Sequence, residues 1–152
     1  MKIEDIEMRI KDDLRKIGVD IEAEKEKGLI CFSKTLGNHA PGNYVYVDGD
    51  YFYLTSIGDR GEIEERVKSP KVEDVLYEIY WGITARVSIE YARVNKKEGQ
   101  DWRRIMFPKR LELLKLIGEQ YYLKGKKEIE NTLAENPYND KLLGWSTRNS
   151  LL

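Results

Sequence analysis

Tyr44-Val45-Tyr46-Val47-Asp48-Gly49-Asp50-Tyr51-Phe52-Tyr53-Leu54 decides the fold class of this 152-residue chain. Two runs of β-branched and aromatic residues flank Asp48-Gly49, a pair suited to the positive φ angles of a type I′ turn, so the stretch reads as a β-hairpin. Gly58-Asp59-Arg60-Gly61 supplies a second turn, leading into residues 62–68. There Ile63 and Val67 are expected on one face with Glu65 between them, and Glu62, Glu64 and Arg66 on the other. The result is an antiparallel meander of three strands, four if Leu29-Ile30-Cys31-Phe32-Ser33 adds a short one.

Helical periodicity frames these strands on both sides. Ile3, Ile6, Ile10, Leu14 and Ile17 recur every three or four residues, the mark of a surface helix with one buried stripe, and Gly18 caps it. Residues 19–27 are acidic and carry no firm pattern, and residues 38–42, with His39 and Pro41, read as a loop. After the strands, Ser69-Pro70 gives an N-cap and a proline at the first helical position. The long helix that follows has the stripe Val72, Val75, Leu76, Ile79, Tyr80, Ile83, Val87, Tyr91 and Val94, widened by Tyr77, Trp81 and Ala85, so it is expected to be covered on two sides.

Asp101 is the expected N-cap of the next helix, in which Pro108 predicts a kink or a restart. Leu111, Leu114, Ile117 and Tyr121 carry the stripe on to Lys124-Gly125, and residues 126–135 form a short last helix. The fold class is therefore α+β: an antiparallel meander of three or four strands packed against a long central helix and further C-terminal helices, with an N-terminal helix. One domain is expected over residues 1–140, with residues 141–152 as a weakly patterned, mobile tail.

Inside the helix after Asp101, the run Trp102-Arg103-Arg104-Ile105-Met106-Phe107 contains a conflict. Neighbouring helical residues point about 100° apart, so Trp102, Ile105, Met106 and Phe107 cannot all be buried without drawing Arg103 or Arg104 inward. A charge placed there needs a partner. Arg60, Arg103 and Arg104 are expected to act together, with a guanidinium held near Asp59, Asp101 or a helix end, so that Arg104→Ala would be strongly destabilising.

Composition narrows the chemistry. Charged residues make up 35% of the chain, against about 25% in an average protein, and the net charge is −1. That balance is uneven, since residues 93–127 hold eleven Lys and Arg against four Asp and Glu. Interleaved with Leu111, Leu113, Leu114, Leu116 and Ile117, these cations read first as the solvated face of an amphipathic helix. A nucleic-acid-binding module using this basic segment is the alternative reading.

One cysteine, Cys31, and one histidine, His39, exclude an intrachain disulfide and a His- or Cys-rich metal site. No run of about 18 apolar residues occurs, so no membrane association and a soluble, cytoplasmic protein are expected. Acidic pairs such as Asp12-Asp13 and Glu64-Glu65 diverge on their elements, and there is no phosphate-binding loop, nucleophile elbow or metal-ligand spacing. No enzyme activity, cofactor or metal is therefore expected. Tyr44, Tyr46, Tyr51 and Tyr53 could stack on bases, but the acidic strand segments would repel a phosphate backbone. A surface of tyrosine and acid suits a protein partner better.

From the hairpin onward, the order of features resembles the Imm63 family, immunity proteins of bacterial polymorphic toxin systems. The matching residues are Tyr53, then Asp59-Arg60-Gly61, then Leu76-Tyr77 with Trp81, Thr84 and Ala92, then Gln100-Asp101-Trp102-Arg103-Arg104 with Phe107. Leu111, Leu113, Leu114, Asn136-Pro137-Tyr138 and Asp140 complete the pattern, over about residues 44–140. Asp59 stands where the family usually has glutamate and Arg110 where it usually has glutamine. The resemblance implies an α+β, non-catalytic domain that binds and blocks a cognate protein toxin. Asp20, Glu22, Glu24 and Glu26, with Asp48 and Asp50 at the hairpin tip, are the residues expected to meet that partner.

Overall fold

A computed structural model describes residues 1–36 and 40–141. Its elements are α1 (Ile3–Arg15), α2 (Ile21–Glu26), β1 (Cys31–Phe32), β2 (Gly42–Asp48), β3 (Tyr51–Ile57), β4 (Ile63–Ser69), α3 (Val72–Asn95), α4 (Arg103–Ile117) and α5 (Glu119–Glu135). The architecture is α+β, and it divides into two compact units, Met1–Ile79 and the part from Tyr80 onward. Part of the loop expected at 38–42, with His39, and nearly all of the tail expected at 141–152 lie outside the described residues.

In the first unit, α1 buries Ile6, Ile10 and Leu14 completely, and the chain leaves it through Gly18 at φ +72°. An unexpected helix follows. The Asp20 carboxylate accepts the Glu22 N–H at 3.0 Å, capping α2, and Ile21 and Glu24 are its buried side chains. A helix of six residues is under two turns, too short for its single buried apolar residue to repeat and betray the period.

The sheet order is β1-β2-β3-β4. Only β2, β3 and β4 form the antiparallel meander; β1 pairs with β2 in parallel, Cys31 against Tyr44 and Phe32 against Val45. The hairpin turn also sits one residue later than Asp48-Gly49. Asp48 is still in β2 and pairs with Tyr51, so Gly49-Asp50 is the central pair. Of these two only Gly49 has positive φ, at +62°, the sign pattern of a type II′ turn instead of type I′.

A bulge corrects the faces of β4 as well. Leu54 pairs with Val67 and Thr55 with Glu65, which leaves Arg66 as the extra residue. Side chains alternate along a strand and paired residues share a face, so the bulge puts Val67 with Leu54 and Ile63 with Thr55 and Ile57, on opposite sides. Ile63 is 61% exposed.

Strand pairing gives way to α3 at Ser69, whose hydroxyl accepts the Lys71 N–H at 3.1 Å and donates to Asp74 at 2.5 Å. The helix begins at Val72, so Pro70 lies ahead of it and outside its first turn. Its apolar stripe is buried through Ile83, but Tyr91 is 42% and Val94 76% exposed. The stripe thus emerges into solvent before the helix ends.

In the second unit, Ala92, Trp102, Met106, Phe107 and Ile129 form a core, with Trp81, Ile89, Leu111, Leu133 and Tyr138 packed around it. Neither a restart at Pro108 nor a helix end at Gly125 occurs. The α4 helix runs through Pro108 as one element: proline removes one backbone bond, and the burial of Met106, Phe107, Leu113 and Leu114 on either side holds the helix together. The break comes instead at Gly118, in extended backbone, and α5 passes through Gly125 without interruption. Gly125 is a packing glycine, where a Cβ would lie 2.6 Å from a Leu114 methyl and 3.1 Å from the Trp81 ring.

Among the described residues no helix is long and apolar enough to cross a membrane. The turn assignment is testable. A Cβ at Gly49 meets nothing within 4 Å, so Gly49→Ala reports the φ penalty alone and should lower the unfolding free energy by about 1 kcal/mol. Asp50→Gly should bring no comparable gain, as read from urea denaturation midpoints.

Candidate functional site

The charge drawn inward at the start of α4 is Arg103, and its partner is Asp101. The Asp101 side chain is fully buried and accepts from the Arg103 backbone N–H at 3.0 Å, from Arg103 Nε at 3.2 Å and Nη2 at 2.9 Å, and from the Asn139 N–H at 2.8 Å. Two further guanidinium hydrogens go to main-chain carbonyls: Nη1 donates to Asn136 at 2.9 Å and Nη2 to Pro137 at 2.8 Å. The Asp101 N–H in turn donates to Asp140 at 3.0 Å, and Asp140 takes Arg104 Nε at 2.8 Å and Nη2 at 3.2 Å. Both guanidinium groups lie near the Tyr138 ring, Arg104 at 4.4 Å and Arg103 at 5.6 Å.

The effect is a clasp that fastens residues 136–140 to the first turn of α4. Burial pushes the Asp101 carboxyl up, but hydrogen bonds from Arg103 and Asn139 outweigh it and hold the group below the usual carboxylate range. A carboxylate saturated with donors and ionised at neutral pH is poorly suited to moving protons; the clasp is structural. It also reassigns Arg104. Its side chain is 40% exposed and its partner Asp140 50%, so this is a surface pair and not the buried contact expected of it.

Arg60 belongs to another local structure. Its backbone N–H donates to Glu62 Oε2 at 3.0 Å, the Gly58 N–H meets the Glu62 carbonyl at 2.8 Å, and Gly61 turns at φ +78°. Asp59, Arg60 and Gly61 are exposed. The conformation of this turn is set by Glu62, folded over Gly58, where any Cβ would collide with its carboxyl group. The Arg60 contribution is made by its main chain, and the expected trio reduces to Arg103 with Asp101 and Arg104 with Asp140.

Several cations of the basic segment 93–127 are engaged within their own unit. Arg110 is buried and stacks on the Trp81 ring at 3.2 Å while donating to the Trp81 carbonyl. Lys109 lies over Tyr91 and pairs with Glu112, Lys115 lies over Tyr122, and Arg93 pairs with Glu90. Cations committed to rings and carboxylates are less available for a phosphate backbone.

The surface that stands out is one face of the sheet. Tyr44 pairs with Thr55, Tyr46 with Tyr53 and Asp48 with Tyr51, while Tyr53 pairs with Lys68, Thr55 with Glu65 and Ile57 with Ile63. All of these therefore share a face. At one end it is closed: Tyr44, Thr55 and Ile57 are buried, and the Tyr44 hydroxyl donates to the Ala40 carbonyl at 2.7 Å. Towards the hairpin tip it opens. Tyr46 and Tyr53 are stacked with ring centroids 4.7 Å apart and planes 2° from parallel, and Lys68 Nζ lies 4.8 Å over Tyr51 and 5.8 Å over Tyr53.

The acidic segment expected to meet a partner is mixed in character. Asp20 caps α2, Glu24 is 93% buried and withdrawn from the surface, and Glu22 and Glu26 are exposed. Lys25 sits among them, 3.1 Å from Glu7 and 3.7 Å from Glu22, and partly neutralises the patch. Asp48 and Asp50 are exposed at the hairpin tip. Burial pushes the Cys31 thiol up, away from nucleophilic thiolate chemistry. Among the described residues no group of three or more His, Cys, Asp or Glu could hold a metal ion.

The class to which this architecture belongs is that of the immunity proteins, because a family model described as Immunity protein 63 matches residues 48–131, more than half of the chain. This chain is a member of the Imm63 family. The match opens at the hairpin tip, takes in the Asp101-Arg103 pair and closes within α5, short of the clasp residues 136–140. No curated protein and no solved structure matches the chain.

Removing the buried acceptor should be costly: Asp101→Ala is expected to destabilise by about 3–5 kcal/mol in urea titrations, whereas Arg104→Ala should leave the midpoint nearly unchanged. Because folding lowers the Asp101 value, its contribution is complete above the unfolded carboxyl value of about 3.9. It is lost as the pH falls through the folded value. Stability should therefore drop on acidification below about pH 4, and less steeply in Asp101→Asn, as followed by circular dichroism melts.

Proposed function

We propose that this protein is a bacterial cytoplasmic immunity protein that binds and neutralises the cognate toxin of a polymorphic toxin system, without catalysing a reaction. The observation that carries this reading is the Imm63 match over residues 48–131. The surface chemistry supports it. Residues 1–79 hold eighteen carboxylates against twelve Lys and Arg, and such a field speeds the approach of a basic protein. A nuclease toxin, whose cleft must attract phosphates, is a partner of that kind. Asp20, Glu22, Glu26, Asp48 and Asp50 are the exposed acids available to it, and the burial of Glu24 removes that residue from the set.

The reading makes a direct prediction about the neighbouring reading frame, which should encode a large secreted protein with a toxic C-terminal domain. Co-expression of this chain should rescue cells from that domain, and the two should co-purify. An unrelated neighbour, or growth arrest that co-expression leaves intact, counts against the assignment.

A further inference from the structure

We propose that the open end of the tyrosine face, Tyr46, Tyr51 and Tyr53 with the carboxylates Asp48 and Asp50 at the hairpin tip, is the docking surface for a partner protein that presents arginine and lysine side chains. For the identity of the natural partner this rests on the immunity reading; the surface itself is argued from the sheet.

Tyr51, at 42% exposure, is a large apolar side chain open to solvent at the hairpin end of this face, whereas Ile63 pairs with the buried Ile57 at the closed end and lies outside the patch. The Tyr46-Tyr53 stack lies at the next position on this face along the strands from Tyr51. Tyrosine offers broad contact area with few rotors to freeze, and such residues concentrate binding energy at interfaces.

The charge pattern then selects the partner. The face of an aromatic ring attracts cations, and Lys68 already occupies such a seat over Tyr51 and Tyr53. Between Gly42 and Ser69 there are six carboxylates, Asp48, Asp50, Asp59, Glu62, Glu64 and Glu65, against Arg60, Arg66 and Lys68. A polyanion such as nucleic acid meets repulsion here, while a guanidinium or ammonium group finds ring faces bordered by carboxylates.

Two measurements test the surface and the partner separately. First, a hexa-arginine peptide is titrated into the 15N-labelled full-length chain. Shift changes should cluster at Tyr46, Tyr51, Tyr53 and Lys68, and Tyr51→Ala, an exposed substitution, should weaken binding about tenfold. Shifts confined to α2, or none, overturn the assignment. Second, binding of the toxic domain encoded beside the gene is measured by calorimetry. Tyr51→Ala and Asp50→Lys should each weaken it tenfold or more, with Leu123→Ala in α5 as an unaffected control.

If the wild type binds the toxic domain and the variants bind equally well, the docking surface is wrong and the immunity reading stands. If the wild type does not bind it, the immunity reading fails, and the peptide titration alone decides the surface. Residues 80–152 hold fourteen Lys and Arg against nine carboxylates, so a second copy is the rival occupant. Concentration-dependent dimerisation abolished by Tyr51→Ala, or binding of single-stranded DNA to this face, would each overturn the proposed partner.

Discussion

A buried carboxylate cannot be left with empty acceptor positions, and the second unit is organised around meeting that condition at Asp101. Trp102, Met106 and Phe107 go into the core, and Arg103, which lies between the directions of Trp102 and Phe107 around the helix axis, is drawn in with them. The guanidinium has more donors than one carboxylate can use, and the surplus reaches the Asn136 and Pro137 carbonyls. A segment more than thirty residues downstream is thereby fixed by a local conflict at the start of α4. The pair is best understood as a device for holding geometry, since buried ion pairs give little net stability beyond what an apolar pair would.

Much of this was legible in the residues. The strand–helix order, the long α3 and the hairpin follow from period and turn chemistry, because those signals are repeated over many residues. The errors lie where one residue or one tertiary contact decides. Asp48-Gly49 looked like the turn, but the chain preferred the register in which only Gly49 takes positive φ. Nothing in residues 62–68 announces the bulge at Arg66, because a bulge depends on the partner strand. Gly125 looked like a helix end and is a close-packing point, a distinction visible only once Leu114 and Trp81 stand opposite it.

The candidate site was read unevenly for the same reason. Sequence alone identified a buried arginine problem near Asp101 but could not say which arginine turns inward. The tyrosines were identifiable as a set, and the alternation Tyr44-Val45-Tyr46 and Tyr51-Phe52-Tyr53 places them on one side. The separation of that side into a closed end and an open end belongs to tertiary packing. Acidic residues in α2 showed the limit of charge counting: one is a cap, one is buried, and a lysine stands among the others.

The bulge has a consequence for how the molecule behaves in a crowded cell. The β4 strand is the last of its sheet, and a flat outermost strand is a template on which further chains can add by backbone pairing. With Arg66 thrown out of register and Glu64 and Glu65 beside it, the row of main-chain donors and acceptors is interrupted and ringed with like charge. Addition of further strands along that margin is thereby discouraged.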